Sequence, residues 1–296
     1  MQASEELFVT LPTRVRLCYQ TFGDPCHPAV IFVPGHSGSM LSWPEDMLRQ
    51  FSTDENPRFI IRYDPRDTGL STEFPVPANY SLTDMANDVE GLVDHLGLSA
   101  KGFHIIGASM GGPVAYIVTL RRPSQVRSLT LAFASPGATK DLPLKGGIDV
   151  APPFPMGIGN QRRVYIDFNM DVYDALTTQP DAEERKEFLD QVTATVDREM
   201  KSGTLYSKGA NHGTAAFGDR PGLESLKDIK CPTTIIQSNQ DPYFGEAHGE
   251  AFASVIEDSE YVLWNDVGHE LPRRIWGRFA EVLLRTWKKG DEKYTS

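Results

Sequence analysis

A serine attacks a carbonyl only when a neighbouring base takes its proton, so serines on sharply bent backbone come first. Gly107-Ala108-Ser109-Met110-Gly111-Gly112 follows an apolar run, Phe103–Ile106, and precedes a helix-like stretch, Pro113–Leu120. A G-x-S-x-G turn between strand and helix lifts its serine out of the sheet. The residues two before and two after must be small, because side chains at 107 or 111 would strike the neighbouring strand or helix. The helix N-terminus behind the turn favours negative charge at the serine. The pattern predicts Ser109 as a nucleophile for acyl transfer.

The base must be oriented by a carboxylate, and after such a turn the expected chain order is serine, acid, histidine. Asp241 follows the apolar run Thr233–Ile236, and His269 follows Tyr261–Trp264. Both fall in loops past the ends of strands, the edge of an α/β sheet where ligands bind. Seven histidines compete for the role of base. His104 lies inside the strand beside the serine turn, His95 ends a helix, and His27 precedes a proline. His248 is expected on the exposed side of a helix after Asp241, which leaves His36 and His212 as rivals of His269. Asp64, Asp67, Asp141 and Asp266 are rival acids, but only Asp241 follows the penultimate strand.

The developing alkoxide needs two N–H donors. Met110, next to the serine, is one. The loop Pro34-Gly35-His36-Ser37-Gly38-Ser39, after the run Ala29–Val33, supplies the other. Its glycines let the backbone approach Ser109, and the main chain of His36 is assigned as the second donor. Gly35, Phe168 and His212 are expected to line the substrate pocket. Phe154, Met156, Met170 and Tyr173 could join Phe168 in an apolar lining.

These groups need a frame. Residues 6–10 and 14–20 read as an antiparallel pair around Pro12, and Ala29–Val33 and Phe59–Tyr63 as strands buried on both faces. Ser81 caps a helix whose apolar stripe is Met85, Val89, Leu92, Val93 and Leu96. Further strands fall at 103–106, 126–133, 233–236 and 261–264, and a closing helix at 271–288. Strands alternating with helices argue for a mostly parallel sheet of eight strands with helices on both faces. The alternation breaks between 137 and 225. Phe188, Val192, Val196 and Met200 mark a helix there, while Val164, Ile166, Phe168, Met170 and Val172 alternate like a strand in a helical setting. The expected organisation is a core at 1–136 and 226–296 with a helical cap inserted at 137–225.

Composition removes other classes. The chain has 296 residues, 40 % hydrophobic, with a net charge of −11. That charge repels phosphate backbones, so nucleic acid is not an expected partner. No apolar run reaches the length of a membrane span, and the acidic start MQASEELFVT is unlike an export signal. Three cysteines without metal spacing imply neither a disulfide framework nor a zinc site. A small-molecule substrate, no metal, no cofactor, no membrane and a cytoplasmic location are the expectations. Monomer and homodimer both stay open.

The ordered set PGHSGSMLSW, RYDPRDTGLS, GASMGG, QDP and GHELP resembles the α/β-hydrolase superfamily. The RDTG turn and GHELP ending are most similar to the aclacinomycin methylesterase-like group, tailoring enzymes of secondary metabolism. The resemblance implies an α/β-hydrolase fold and Ser109, Asp241 and His269 as the triad. It also implies His36 and Met110 as oxyanion donors, and Asp64, Arg66 and Gly69 as scaffold. Two departures stand out: Pro34-Gly35 where many relatives carry His-Gly, and Gly112 where a larger residue is common. The expected activity is hydrolysis of a carboxylic ester, thioester or lactone of a medium-sized apolar molecule through an acyl-enzyme. A C–C lyase, a perhydrolase or a ligand-binding receptor on the same frame are the alternatives.

Overall fold

The computed structural model describes residues 1–153, 155, 159–202, 209–216 and 218–295. Phe154 and Met156 lie outside the described residues. Eight strands form one sheet: β1 (Leu7–Thr10), β2 (Arg16–Phe22), β3 (Ala29–Val33), β4 (Phe59–Tyr63), β5 (Phe103–Ala108), β6 (Val126–Ala132), β7 (Thr233–Ser238) and β8 (Glu260–Trp264). Their spatial order is β1-β2-β4-β3-β5-β6-β7-β8. The β1–β2 and β2–β4 pairs are antiparallel and the rest parallel. β3, β4 and β7 are buried along their whole length, as their continuous apolar runs require.

The helices are α1 (Glu45–Arg49), α2 (Leu82–His95), α3 (Gly111–Arg121), α4 (Arg162–Leu176), α5 (Ala182–Glu199), α6 (Ala210–Ala216), α7 (Gly245–Val255) and α8 (Trp276–Thr295). Met85, Val89, Tyr116 and Phe252, from α2, α3 and α7, fill the core on one face of the sheet. Met47, Leu48, Phe279 and Leu283, from α1 and α8, fill it on the other. Ser81 caps α2 through a reciprocal box with Asp84, so two orphan N–H groups at that helix start are satisfied. No helix among the described residues is long and apolar enough to cross a membrane.

Between β6 and β7 lie α4, α5 and α6, and this insertion has its own small core of Tyr165, Ile166, Met170, Tyr173, Val192 and Val196. The strand-like alternation at 164–172 is overridden: the buried set on α4 follows the helical period, not the period of two. The α5 stripe holds through Phe188, stacked on Tyr173 at 4.1 Å, and through Val192 and Val196. It ends before Met200, which sits beyond the helix and is 37 % exposed.

The insertion is fastened to the sheet by polar groups. Arg198 donates to Asp64 at 2.8 Å and to Glu6 at 2.6 Å. Gly69 N–H donates to Glu199 at 2.9 Å, Gln191 to the Leu41 carbonyl at 2.8 Å, and Asn211 to Asp67 at 3.0 Å. Asp64 is fully buried and also accepts from Met40 N–H and Leu70 N–H, both at 2.9 Å. One carboxylate thus ties together the loop after β3, the turn after β4 and α5.

Candidate active site

β5 delivers Ser109 at the edge of the sheet where the strands end. The serine has φ +51°, a left-handed conformation that non-glycine residues rarely adopt. Backbone bonds hold it there: Ser109 N–H donates to the Ala132 carbonyl at 2.9 Å, and Gly112 N–H donates to the Ser109 carbonyl at 2.9 Å. The two flanking glycines are a matter of space. A Cβ on Gly107 would lie 2.2 Å from the Gly111 carbonyl oxygen, and one on Gly111 would lie 2.4 Å from the Val33 carbonyl oxygen. Both clashes are with backbone, which cannot step aside.

The three residues separated in sequence meet at this point. His269 Nε2 lies 2.9 Å from Ser109 Oγ, and His269 Nδ1 lies 2.7 Å from Asp241 Oδ2. Asp241 is inaccessible to solvent and accepts two more bonds on Oδ1, from Tyr243 N–H at 2.7 Å and Phe244 N–H at 3.1 Å. Burial alone would raise its pKa, but the histidine and these N–H groups outweigh it, and the carboxyl sits below its ordinary value. An ionised carboxylate can only accept, so Nδ1 carries the ring proton and Nε2 is left bare toward the serine hydroxyl. For His269, burial works against the imidazolium, yet the Asp241 carboxylate dominates and the pKa is raised. The rings of Phe133, Tyr243 and Phe244 stand 6.3, 5.4 and 5.4 Å from the imidazole and wall it from water. The insertion reaches this loop too, because His269 N–H donates to the Leu176 carbonyl at 2.8 Å.

The loop after β3 closes against the serine. A Cβ on Gly35 would stand 3.1 Å from Ser109 Cβ and 3.7 Å from Ser109 Oγ. Met110 is the N-cap of α3. The backbone N–H groups of His36 and Met110 have no acceptor among the described residues. Two donors without an internal acceptor, one in the loop that packs on the serine through Gly35 and one at the start of an eleven-residue helix, can serve an oxyanion. The His36 imidazole is exposed and contacts Ser37 Oγ at 3.0 Å.

Other residues singled out in the sequence lie outside this relay. His212 is inaccessible to solvent and lies behind the His36 loop, with both ring nitrogens occupied by backbone groups, so it does not line a pocket. His248 is buried, not exposed: it bonds Ser135 Oγ at 2.8 Å and the Pro143 carbonyl at 3.2 Å, pinning the loop after β6. It stands four residues before buried Phe252 on α7, a spacing that puts both on one face of the helix. Phe168 is half-buried on α4. His104 packs against Ser128 at 2.8 Å, Asp266 pairs with Arg278, and Asp67 is taken by Tyr80 and Asn211. Arg198, Asn211 and the docking role of Asp64 are additions the sequence did not signal.

Comparison with known proteins identifies the fold. A family profile described as the alpha/beta hydrolase fold matches residues 28–272. The chain is similar to rhodomycin D methylesterase DauP of Streptomyces sp. (strain C5), 24 % identical over 297 residues, which span 92 % of this chain and 97 % of that protein. Among solved structures it superposes on esterase RhEst1 from Rhodococcus sp. ECU1013, with a TM-score of 0.76, 17 % identity and coverage of 96 % and 99 %. A meta-cleavage product hydrolase from Pseudomonas fluorescens IP01 gives a TM-score of 0.74 at 16 % identity, covering 96 % of this chain and 97 % of that one. The chain belongs to the alpha/beta hydrolase fold family.

Proposed function

We propose that this ester-acting hydrolase cleaves a carboxylic ester through an acyl-enzyme on Ser109, with His269 as base and Asp241 as its orienting acid. The observation that carries the reading is the continuous relay Asp241–His269–Ser109 at 2.7 and 2.9 Å, ending on a serine held at positive φ. His269 takes the hydroxyl proton as Ser109 Oγ bonds to the ester carbonyl carbon. The His36 and Met110 N–H groups receive the oxyanion, each worth roughly 3 kcal/mol in a water-excluded site. The C–O bond to the alcohol then breaks, and the alcohol leaves with the proton from His269. Water, deprotonated by the same imidazole, releases the acid and restores the serine.

The helical insertion acts as the cap over this site, since α4 and α6 bond to the His269 loop and to the loop after β3. The similarity to a methylesterase supports a methyl ester, in the tailoring of a secondary metabolite, as the substrate class, and the sequence reading adds a medium-sized apolar molecule. Thioesters and lactones use the same steps.

Steady-state turnover of a panel of methyl, aryl and lactone esters in ¹⁸O-water tests the reading. The expected result is rapid multiple turnover with one labelled oxygen in the carboxylate product. A cleaved product without label would identify lyase chemistry, and binding without turnover would identify a receptor.

The raised pKa of His269 sets the pH dependence. Only the neutral imidazole can accept the serine proton, so kcat/KM is expected to rise with pH through an acid limb above 6.5. A pH profile whose limb lies at or below 6.5 contradicts this assignment.

A further inference from the structure

We propose that His212 is a positioning residue of the ester reaction, a neutral imidazole on the insertion that holds the oxyanion loop in its working shape. The inference rests on the reading of Ser109 as nucleophile and of the His36 N–H as an oxyanion donor. His212 lies on α6, inaccessible to solvent, far in sequence from both backbone groups it meets. Ser37 N–H stands 3.1 Å from Nδ1, and the Arg66 carbonyl oxygen stands 2.8 Å from Nε2. An N–H can only donate, so Nδ1 must be bare. A carbonyl can only accept, so Nε2 must carry the proton. Together the two partners select one tautomer and exclude the imidazolium, which has no acceptor to offer.

The neighbours favour the same state. Burial holds the pKa down at about 4. The His36 ring lies 6.0 Å away and the Tyr80 ring 6.3 Å away. The Arg66 guanidinium is engaged by Asp88, and Asp67 accepts from the Tyr80 hydroxyl, Asn211 and Phe74 N–H. No carboxylate among these contacts the His212 ring.

The Ser37 N–H bond matters because of the backbone it fixes. Ser37 has φ +55°, a conformation disfavoured for any residue with a Cβ, so the surroundings must impose it. That residue directly follows His36, and a bond from Gly38 N–H to the Gly35 carbonyl at 3.1 Å closes the same turn. Release of Ser37 would let the 35–38 turn relax and swing the His36 N–H away from Ser109. The helix carrying the imidazole is itself anchored, through Gly209 N–H to the Asp67 carbonyl at 2.8 Å and Asn211 to Asp67 at 3.0 Å. The oxyanion loop, the turn after β4 and the insertion are therefore one hydrogen-bonded chain, and the second oxyanion donor is in place only while the insertion is docked.

Two substitutions divide the ring's functions. Asparagine places an oxygen where Nδ1 stands, and glutamine places an NH₂ where Nε2 stands. His212→Gln therefore keeps the Arg66 bond and loses the acceptor for Ser37, while His212→Asn keeps the acceptor. The first is expected to lower kcat about 10- to 100-fold, the range for a donor displaced by a fraction of an ångström to an ångström. Its KM should stay within about threefold, because the lost interaction belongs to the transition state. Inhibition by an aryl trifluoromethyl ketone, whose tetrahedral adduct uses the same donors, should weaken in proportion to kcat/KM. His212→Asn should retain kcat within about fivefold of the parent.

Equal loss of kcat in the two variants, after correction for folded fraction, overturns the proposal. So does undiminished ketone inhibition in His212→Gln. Should the glutamine variant fail to fold, ¹⁵N-histidine spectra of the unsubstituted protein decide, with the resonance missing from His212→Asn giving the assignment. One imidazole neutral with its proton on Nε2 from about pH 5 to 8 is expected, and a titrating ring or the other tautomer contradicts it. Parent protein that neither turns over esters nor binds the ketone would instead overturn the reading of Ser109 itself.

Discussion

Ser109→Ala is expected to lower kcat for ester hydrolysis by about a million-fold, with stability changed by no more than about 1 kcal/mol. The asymmetry follows from what the hydroxyl touches. Its hydrogen-bond partner is the His269 imidazole, whereas the elbow is held by backbone bonds to Ala132 and Gly112 that alanine keeps. Alanine also meets the same positive φ as serine, so no new strain enters. The two N–H donors and the substrate pocket remain, and a residual rate about 10³- to 10⁴-fold above water is expected. Progress curves for the best ester of the panel, alongside thermal melts, check both halves. Activity within about tenfold of the parent would place the nucleophile elsewhere.

Asp241→Asn is expected to reduce kcat by about 10⁴-fold, although the shape of the site is conserved. The amide oxygen can still accept from Tyr243 and Phe244 N–H, which leaves the NH₂ group facing His269 Nδ1. That nitrogen must then accept, so the ring proton moves to Nε2, and the base is blocked where Ser109 needs it. The pH profile should report the same loss. Without the carboxylate, burial is the dominant influence on His269 and its pKa falls, so the acid limb moves to lower pH as the plateau drops. A limb that stays in place, or a loss in kcat below about tenfold, would show that another group orients the histidine.

The meeting of Ser109, Asp241 and His269 is legible because each signal for it is local. A strand followed at once by small-x-Ser-x-small leaves few folds open, and Asp241 and His269 each sit directly after an apolar run that became β7 or β8. The bounds of β3 and β4 agree with the apolar runs read for them, since a strand buried on both faces reads as unbroken hydrophobicity. The fastenings of the insertion were not legible. Arg198 meets Asp64 and His212 meets Ser37 across more than a hundred residues, and periodicity on α5 or α6 says only which side is apolar. A buried arginine at the end of a stripe looks like a solvated one until its partner is known. His248 was misplaced for a related reason: an imidazole counts as polar in a pattern, yet it buries readily when a hydroxyl and a carbonyl meet its two nitrogens.

Those fastenings change how the site is understood. Removing Arg198 would leave Asp64 buried beside Met40 N–H and Leu70 N–H without its counter-charge, and the loop that leads from Gly35 through Ser37 would lose one of its anchors. Ser109, Asp241 and His269 sit just past the ends of sheet strands, while the loop after β3 is bonded to the insertion through Ser37 and His212.

The central claim is that Ser109 is an activated nucleophile. Treatment of the folded protein with a fluorophosphonate, followed by peptide mass mapping, tests it most directly. A single adduct on the peptide containing Ser109, absent from Ser109→Ala, is the expected result. An adduct at any other residue, or no labelling of folded protein under conditions where esters are turned over, would contradict the account.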